Sequence, residues 1–321
     1  MKIKKLIKII GKGFLLLICL LIVIGFTYEQ ISRYETKEFV EERIGSFVDV
    51  GGHQLYYEKK GDGNVTVIFE SGAPGDHRAW DDLSDTVSEF STTLSYDRAG
   101  LLWSERGSNT KTPNDISTDL ETVLTKEGFN KPYVVVGHSA AGIYLRPFIE
   151  KHQDDILGVI FIDPSHPDQL MKAPEKLKEY MQPPFFPPEW LVSLLNEVGL
   201  IRLLSGDPLI YRGIRSGGVY DEIEFLMNET SRSSRSSKSW KVPLVVISAG
   251  AQDSFGISDV VLKNEMQEYW SGLQIEISQL SENGKRIVAE KSGHNMLDSE
   301  AKLITEEIIK IIKSHHNTQI E

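Results

Sequence analysis

Cysteine is nearly absent from this chain. Its 321 residues include a single cysteine, Cys19, which lies inside an apolar N-terminal run. The rest of the chain therefore offers no cysteine for a disulfide, a thiol nucleophile or a cysteine-bound metal. The P-loop, G-x-G-x-x-G and H-E-x-x-H motifs are missing as well, and no internal repeat is apparent. Because these motifs hold nucleotides, dinucleotides and zinc, we expect neither a cofactor nor a metal.

Positive charge is scarce outside the N-terminus. The chain has 35 Lys and Arg against 46 Asp and Glu, a formal net charge of −11. Its first twelve residues carry five lysines and no acid, so the remainder carries −16. A domain this acidic should avoid polyanions, and the three cations of the Ser-rich stretch 231–239 fit a solvated loop. We therefore predict no nucleic-acid partner.

The first 44 residues predict a membrane anchor followed by a tether. The five lysines precede an uncharged stretch from Gly13 to Tyr28. As a helix this stretch would span about 24 Å, less than a bilayer core of roughly 30 Å. Snorkelling lysines and the apolar residues upstream extend it toward that thickness. A cleaved signal peptide is the alternative, but the small residues of a cleavage site are poorly represented. The lysine asymmetry predicts a single-pass protein of the cell membrane, with a cytoplasmic N-terminus and an extracytoplasmic domain. Residues 1–28 are the anchor, and the charged residues 29–44 are the tether.

From residue 45 onward the chain alternates between short apolar runs and amphipathic segments. Unbroken apolar runs are typical of strands buried on both faces of a parallel sheet. Four segments have this pattern: Val65–Phe69, Tyr133–Val136, Leu157–Ile162 and Leu244–Ile247. Between them Thr112 and Pro113 form a typical helix start, and residues 299–314 predict a last helix. The pattern predicts an α/β domain with one large core.

The run Val134–Val136 leads straight into Gly137-His138-Ser139-Ala140-Ala141-Gly142. A serine between small residues, after a strand and before a helix, is typical of a nucleophile elbow, where the tight turn leaves no room for larger side chains. Ala141 replaces the last glycine of G-x-S-x-G, so either the turn is slackened or a neighbour is smaller. Taken alone, the segment also fits a plain Gly-Ser turn.

A base and an acid follow this serine at comparable positions. His294 comes after the apolar run 287–289, and Asp253 comes shortly after the run 244–248. Asp163 also ends an apolar run and is a second candidate acid. Because active sites of parallel sheets lie at the carboxyl ends of strands, these residues can converge on Ser139.

Further segments, in the same order along the chain, make it similar to the α/β-hydrolase family. Phe69–Gly75 resembles the family's oxyanion loop, and Tyr96–Glu105 resembles its D-R-x-G-x-G-x-S stretch, with Leu102 in place of a glycine. Ile162–Pro167 resembles the end of the sixth strand. The resemblance covers roughly residues 45–314.

The resemblance implies a mostly parallel eight-stranded sheet flanked by helices. It implies a helical cap inserted after the sixth strand, about residues 165–241, within a domain of residues 45–314 that a polar tail, 315–321, follows. The backbone N–H groups of Ala73 and Ala140 would form the oxyanion hole. Four aromatic residues of the cap either line an apolar pocket or form the cap's own core: Phe185, Phe186, Trp190 and Tyr211.

The interpretation is a serine hydrolase that cleaves a small-molecule ester, or an amide, through an acyl-enzyme. Ser139 would attack and His294 would move the proton, while family position favours Asp253 over Asp163 as the orienting acid. Serine at position 139, rather than aspartate, argues against dehalogenases and epoxide hydrolases. Two alternatives stay open: an aminopeptidase whose cap acids Glu222 or Glu224 bind an ammonium group, and a catalytically silent binding module.

Overall fold

A computed structural model describes residues 2–42, 45–107, 112–181, 187–207, 209–230, 239–251 and 255–318 of the chain. These residues divide into two units. One unit comprises residues 1–44 and 185–218, and the other comprises residues 45–184 and 219–321. The second unit carries the sheet and every described residue of the candidate site.

The sheet has eight strands, as the resemblance implied. They are β1 Ser46–Asp49, β2 Gln54–Lys60, β3 Thr66–Glu70, β4 Thr92–Tyr96, β5 Tyr133–His138, β6 Ile156–Ile162, β7 Leu244–Ala249 and β8 Gly284–Ala289. Their spatial order is β1-β2-β4-β3-β5-β6-β7-β8. The pairs β1–β2 and β2–β4 are antiparallel, and the remaining pairs are parallel. All four predicted apolar strands are therefore confirmed, to within one or two residues at their ends.

The described residues also contain twelve α-helices, which precede, connect or follow these strands. They are α1 Lys2–Glu42, α2 Asp81–Ser88, α3 Pro113–Lys126, α4 Ala141–Tyr144, α5 Arg146–Lys151, α6 Glu175–Met181, α7 Glu189–Glu197, α8 Leu200–Ser205, α9 Ile210–Ser216, α10 Gly218–Thr230, α11 Val260–Ser278 and α12 Ala301–Thr318. The predicted start of α3 is confirmed, because Thr112 and Asp115 form a capping box with Pro113 in the first turn. Five helices, α6 to α10, lie between β6 and β7, where the cap was predicted.

Side chains of the central strands enter two separate cores. On β5, Val135 belongs to a cluster that includes Phe148 of α5. Its neighbours Val134 and Val136 belong to a cluster that includes Ile308 of α12. Successive residues of a strand point to opposite faces, so helices cover the sheet on both sides and its strands are apolar throughout.

The N-terminal helix α1 is the one helix in the described chain long and apolar enough to cross a membrane. Its candidate span runs from Ile3 to Thr36, with a mean hydropathy of 2.7 and none of its most apolar window buried. Length and composition of this kind fit both a membrane anchor and a signal sequence. They agree with the predicted anchor without fixing its topology.

The segment predicted as a tether is helical as far as Glu42. Glu29 is fully buried and accepts hydrogen bonds from Arg202 Nε at 2.8 Å and from Arg33 Nε at 2.8 Å. Arg33 also forms a two-pronged ion pair with Glu197, at 3.0 and 3.1 Å. Part of the segment that looks like a solvated tether is therefore an ion-paired helix face. Besides pairing with each other, Glu29 and Arg33 have partners more than 160 residues away, which the local sequence does not reveal.

Candidate active site

Ser139 occupies a strained turn between β5 and α4. Its φ of 54° lies in the left-handed region, which non-glycine residues seldom adopt. The end of the neighbouring strand holds this turn: Ser139 N–H donates to Ile162 O at 3.0 Å, and Ser165 N–H donates to Ser139 O at 2.7 Å. The local geometry is that of a nucleophile elbow, which presents the serine hydroxyl at the carboxyl end of the sheet.

The alanine at position 141 fits because residue 137 is glycine. A Cβ atom added at Gly137 would lie 2.7 Å from Cβ of Ala141, closer than non-bonded carbon atoms approach in proteins. Gly142 is constrained too, since its added Cβ would meet Pro164 at 2.6 Å. Gly137 is the first glycine of G-x-S-x-G itself, so this contact shows why residue 137 has to stay glycine beside Ala141 and leaves both explanations for Ala141 open.

Two hydrogen bonds join Ser139, His294 and a carboxylate. His294 Nε2 lies 2.9 Å from Ser139 Oγ, and His294 Nδ1 lies 2.7 Å from Asp163 Oδ2. An ionised carboxylate can only accept, so Nδ1 carries the proton and the lone pair of Nε2 faces the hydroxyl. The imidazole of His294 is 32% exposed, whereas the carboxylate of Asp163 is only 1% exposed. This arrangement can deprotonate the hydroxyl while shielding the acid from water.

Asp163 is held in place from several directions. Its other oxygen, Oδ1, accepts from Trp270 Nε1–H on α11 and from the backbone N–H of Ala249, both at 3.0 Å. The residue follows β6 with a φ of 39°, a second left-handed conformation at this edge of the sheet. Asp253, the acid that family position favoured, lies outside the described residues. In the described geometry the contact with His294 is made by Asp163.

His138 fixes the loop that carries the base. Its Nε2–H donates to the carbonyl oxygen of His294 at 2.9 Å, and the two rings lie 4.9 Å apart. Burial, together with the neighbouring His294, lowers the pKa of His138 to about 4. The imidazole of His138 is therefore neutral at physiological pH, and it adds no cation beside the base.

A cavity of about 530 Å³ opens over Ser139 and His294. The loop Gly72–Gly75 forms part of its wall, and Arg78 lies at its margin, paired with Asp76. A Cβ added at Gly72 would lie 2.8 Å from Cβ of Ser139, so this loop touches the serine closely. Ala73 lines the cavity, and Ala140 follows the serine directly, at the start of α4. Of the two predicted oxyanion-hole residues, one therefore lines the cavity that holds Ser139 and the other is the next residue in the chain.

A buried arginine holds the Gly72–Gly75 loop in shape. Arg98 Nη1 donates to Ser71 O at 2.7 Å, and Nη2 donates to Gly72 O at 3.0 Å. The same guanidinium pairs with Glu70 at 2.5 Å and with both carboxylate oxygens of Glu222 on α10, at 2.5 and 3.0 Å. Burial by itself lowers the pKa of Arg98, but the two carboxylates outweigh it and raise the pKa above its usual value. Loss of one partner of such a buried pair typically costs about 3–5 kcal/mol.

Sequence reasoning missed this network. Arg98 is the arginine of the D-R-x-G-x-G-x-S stretch, for which the sequence predicts no contact, and in the aminopeptidase alternative Glu222 was expected as a ligand for a substrate's ammonium group. Both oxygens of Glu222 are instead occupied by Arg98, while Glu224 is exposed. Leu102, which replaces a glycine of the D-R-x-G-x-G-x-S stretch, has a φ of 33°, a conformation that explains why the family pattern has glycine there.

A second buried histidine lies close to the site without lining its cavity. His77 Nδ1 lies 2.7 Å from Asp97 Oδ1, and Nε2 lies 3.3 Å from Glu58 Oε1. Burial lowers the pKa of His77, but the hydrogen bonds with both carboxylates outweigh it and raise the pKa to about 9. With Asp76 or Asp81 these groups could also surround a cation, but the raised pKa favours a protonated ring, and a protonated imidazole cannot bind a metal.

The family model described as "Alpha/beta hydrolase family" matches residues 67–307. This chain belongs to the α/β-hydrolase family. It is 23% identical over 246 residues to Uncharacterized protein YqjL of Bacillus subtilis, covering 77% of this chain and 83% of that protein. A second match, Probable transporter efuK of Hormonema carpetanum, is 30% identical over 124 residues, covering 36% of this chain and only 18% of that longer protein.

Solved structures show the same fold. A thermophilic esterase from Thermogutta terrifontis aligns with a TM-score of 0.55 and 15% identity, covering 82% of this chain and 94% of the esterase. Epoxide hydrolase VrEH1 from Vigna radiata aligns with a TM-score of 0.61 and 17% identity, covering 84% and 98%. At such identities the α/β-hydrolase chain shares the architecture of both enzymes, and its reaction has to be argued from its own site.

The fit between Gly137 and Ala141 gives a double-mutant prediction. Gly137→Ala should lower the free energy of unfolding by roughly 1–3 kcal/mol, because the two methyl groups collide in a packed turn. Ala141→Gly alone should cost about 1 kcal/mol, because a helix gains a glycine. The pair Gly137→Ala/Ala141→Gly should recover part of the loss, since the added Cβ would still lie 2.9 Å from Leu145 Cδ1. Denaturant unfolding of the four proteins measures this coupling, and additive effects of the two changes would contradict it.

The environment of His77 gives a pH prediction. Its folded-state pKa of about 9 exceeds the roughly 6.5 of an unfolded histidine, so the stability that it contributes is complete below pH 6.5 and is lost as the pH rises toward 9. The difference in unfolding free energy between wild type and His77→Gln should therefore shrink between pH 6.5 and 9.5. A difference that stays constant over this interval would mean that the ring is neutral throughout.

Proposed function

We propose that this chain is a serine hydrolase that cleaves carboxylic esters through an acyl-enzyme, anchored by α1 in the cell membrane with its hydrolase domain outside. The observation that carries the proposal is the continuous line of hydrogen bonds from Ser139 Oγ through His294 to Asp163, at the wall of an open cavity. A serine hydroxyl poised on an oriented imidazole is the arrangement that nucleophilic acyl transfer needs.

The reaction would run in two halves. Ser139 Oγ attacks the ester carbonyl carbon while His294 Nε2 takes its proton, and the developing oxyanion is held by the N–H groups of Ala73 and Ala140, each contributing about 3 kcal/mol. Collapse breaks the carbon–oxygen bond, and His294 returns the proton to the departing alcohol. Water then attacks the acyl-enzyme, His294 takes a proton from it, and the carboxylic acid leaves as Ser139 recovers its hydrogen.

Asp163 would orient His294 in both halves. Its buried carboxylate keeps the proton on Nδ1 and stabilises the imidazolium that forms when Nε2 is protonated. Trp270 and Ala249 support this role, because their N–H groups occupy Oδ1 and leave Oδ2 aimed at the imidazole.

Two observations favour this reaction over its alternatives. The side chain at the elbow is a serine, whereas an epoxide hydrolase of this fold would be expected to have an aspartate. Glu222, which an aminopeptidase could have used for a substrate's ammonium group, is engaged by Arg98.

The proposed location rests on α1. Five lysines precede its apolar stretch, which favours a cytoplasmic N-terminus. The helix also continues beyond that stretch into buried ion pairs of Glu29 with Arg202 and Arg33, so its C-terminal half belongs to the folded protein. A helix built into the fold in this way is more consistent with an anchor than with a removed signal.

Ser139→Ala should abolish hydrolysis of short-chain aryl esters and labelling by a fluorophosphonate, because both need the nucleophile. Ser299→Ala, which changes an exposed serine five residues after His294, is the matched control and should keep both. Turnover at the wild-type rate by purified Ser139→Ala protein would exclude the proposed nucleophile.

Asp163→Asn should lower kcat by roughly three to four orders of magnitude, because an amide no longer holds the correct imidazole tautomer. Asp253→Asn should leave kcat within a small factor of wild type. Steady-state kinetics of both variants, with thermal unfolding as a check on folding, separates the two acids. A large loss of kcat in Asp253→Asn, with Asp163→Asn close to wild type, would transfer the orienting role to Asp253.

A further inference from the structure

Three short cap helices, α7, α8 and α9, belong to the same unit as the apolar N-terminal helix. We call residues 189–205, comprising α7, α8 and the Val198–Gly199 turn, the α7–α8 hairpin. Leu200, Leu203 and Leu204 lie three and four residues apart on α8, with exposed fractions of 37%, 70% and 75%. This spacing gives α8 one apolar exposed face, while Arg202, on its other side, is buried against Glu29.

The second helix of the hairpin repeats the pattern. On α7, Trp190 and Leu194 are one turn apart and are 68% and 53% exposed. Trp190 is also the exposed exception among the five tryptophans, because the other four are buried. Exposed apolar side chains grouped on neighbouring helices mark an interaction surface, and tryptophan is enriched where proteins meet the membrane interface.

Backbone contacts between the hairpin and α1 show which part of the apolar span lies beside the exposed leucines. A Cβ added at Gly25 would lie 2.4 Å from the carbonyl oxygen of Val198, so the hairpin turn touches α1 within its uncharged stretch. A Cβ added at Gly199 would lie 2.9 Å from the ring of Tyr28, the last residue of that stretch. Any apolar phase that surrounds α1 at Gly25 therefore reaches the start of α8.

Beyond this turn, α8 contacts α1 at residues closer to the charged C-terminal end of α1. Arg202 pairs with Glu29, one turn beyond Gly25, and Leu203 shares a surface pocket with Ser32 and Thr36. The ion pairs thus lie just beyond the end of the uncharged stretch. Leu200 follows Gly199, which contacts Tyr28 at the end of that stretch, whereas Leu203 lines the pocket with Ser32 and Thr36, farther along α1.

We propose that the α7–α8 hairpin is a second membrane contact, with the apolar face of α8 lying in the interfacial layer of the lipid bilayer beside the anchor. The proposal rests on the proposed anchoring of α1. Ion pairs between α1 and the hairpin fix the two together, and the leucines add buried apolar area at the level where the span ends. The cap is then partly a membrane-bound element, and Leu200 lies deeper than Leu203.

Spin labels on single cysteines test this in the full-length protein reconstituted into phosphatidylcholine vesicles. Cys19 is the chain's only cysteine, so a label on it reports on the anchor. In a Cys19→Ser background, Leu200→Cys and Leu203→Cys report on the hairpin, and Lys302→Cys, whose parent side chain is 91% exposed, is the water-exposed control. Each label's collision rates with oxygen, which concentrates in lipid, and with a water-soluble nickel chelate are measured.

The ratio of oxygen to nickel accessibility should be several-fold higher at Leu200→Cys and Leu203→Cys than at Lys302→Cys, and higher at Leu200→Cys than at Leu203→Cys. Ratios equal to the control, with Cys19 in lipid, would overturn the hairpin contact and leave the anchor intact. Low accessibility to both reagents at the hairpin would mean that protein, such as a second copy of the chain, covers it, which also overturns the proposal. A water-accessible Cys19 label would overturn the anchor and the hairpin contact together.

Discussion

The site depends on the way the carboxyl ends of β5 and β6 are joined. Ser139, the first residue after β5, donates its N–H to Ile162, the last residue of β6. Its carbonyl accepts from the N–H of Ser165, three residues farther along the chain. Both Ser139 and Asp163 follow their strands in left-handed conformations. Because this conformation is costly for non-glycine residues, the surrounding hydrogen bonds must maintain it.

A second layer of polar contacts surrounds this edge and keeps each group oriented before any substrate binds. Trp270 and Ala249 hold the carboxylate, His138 holds the loop of His294, and Arg98 holds the carbonyls beside Ala73. Preorganised dipoles of this kind stabilise a developing charge without reorganising during the reaction. The buried pairs of Arg98 thereby link the shape of the Gly72–Gly75 loop to α10, although that helix supplies no residue to the triad.

Local patterns explain what the sequence could predict. The strands, the elbow and His294 each have a signature within about ten residues, and the reason for glycine at 137 follows from the same turn. The acid that contacts His294 could not be predicted in this way, since Asp163 and Asp253 both follow apolar strands. The contacts of Asp163 with His294, Trp270 and Ala249 join residues that lie far apart in the sequence. The same holds for Glu222 and Glu29, because a carboxylate read alone does not reveal an arginine partner more than 100 residues away.

The central claim is that Ser139, His294 and Asp163 act as one unit beneath a preformed oxyanion hole. The most direct test is a crystal structure of the full-length protein after reaction with a fluorophosphonate. We predict phosphorus bonded to Ser139 Oγ, a phosphonyl oxygen within hydrogen-bond distance of the N–H groups of Ala73 and Ala140, and His294 Nδ1 on Asp163. An adduct on another residue, or a His294 ring bonded to Asp253 instead, would contradict the account.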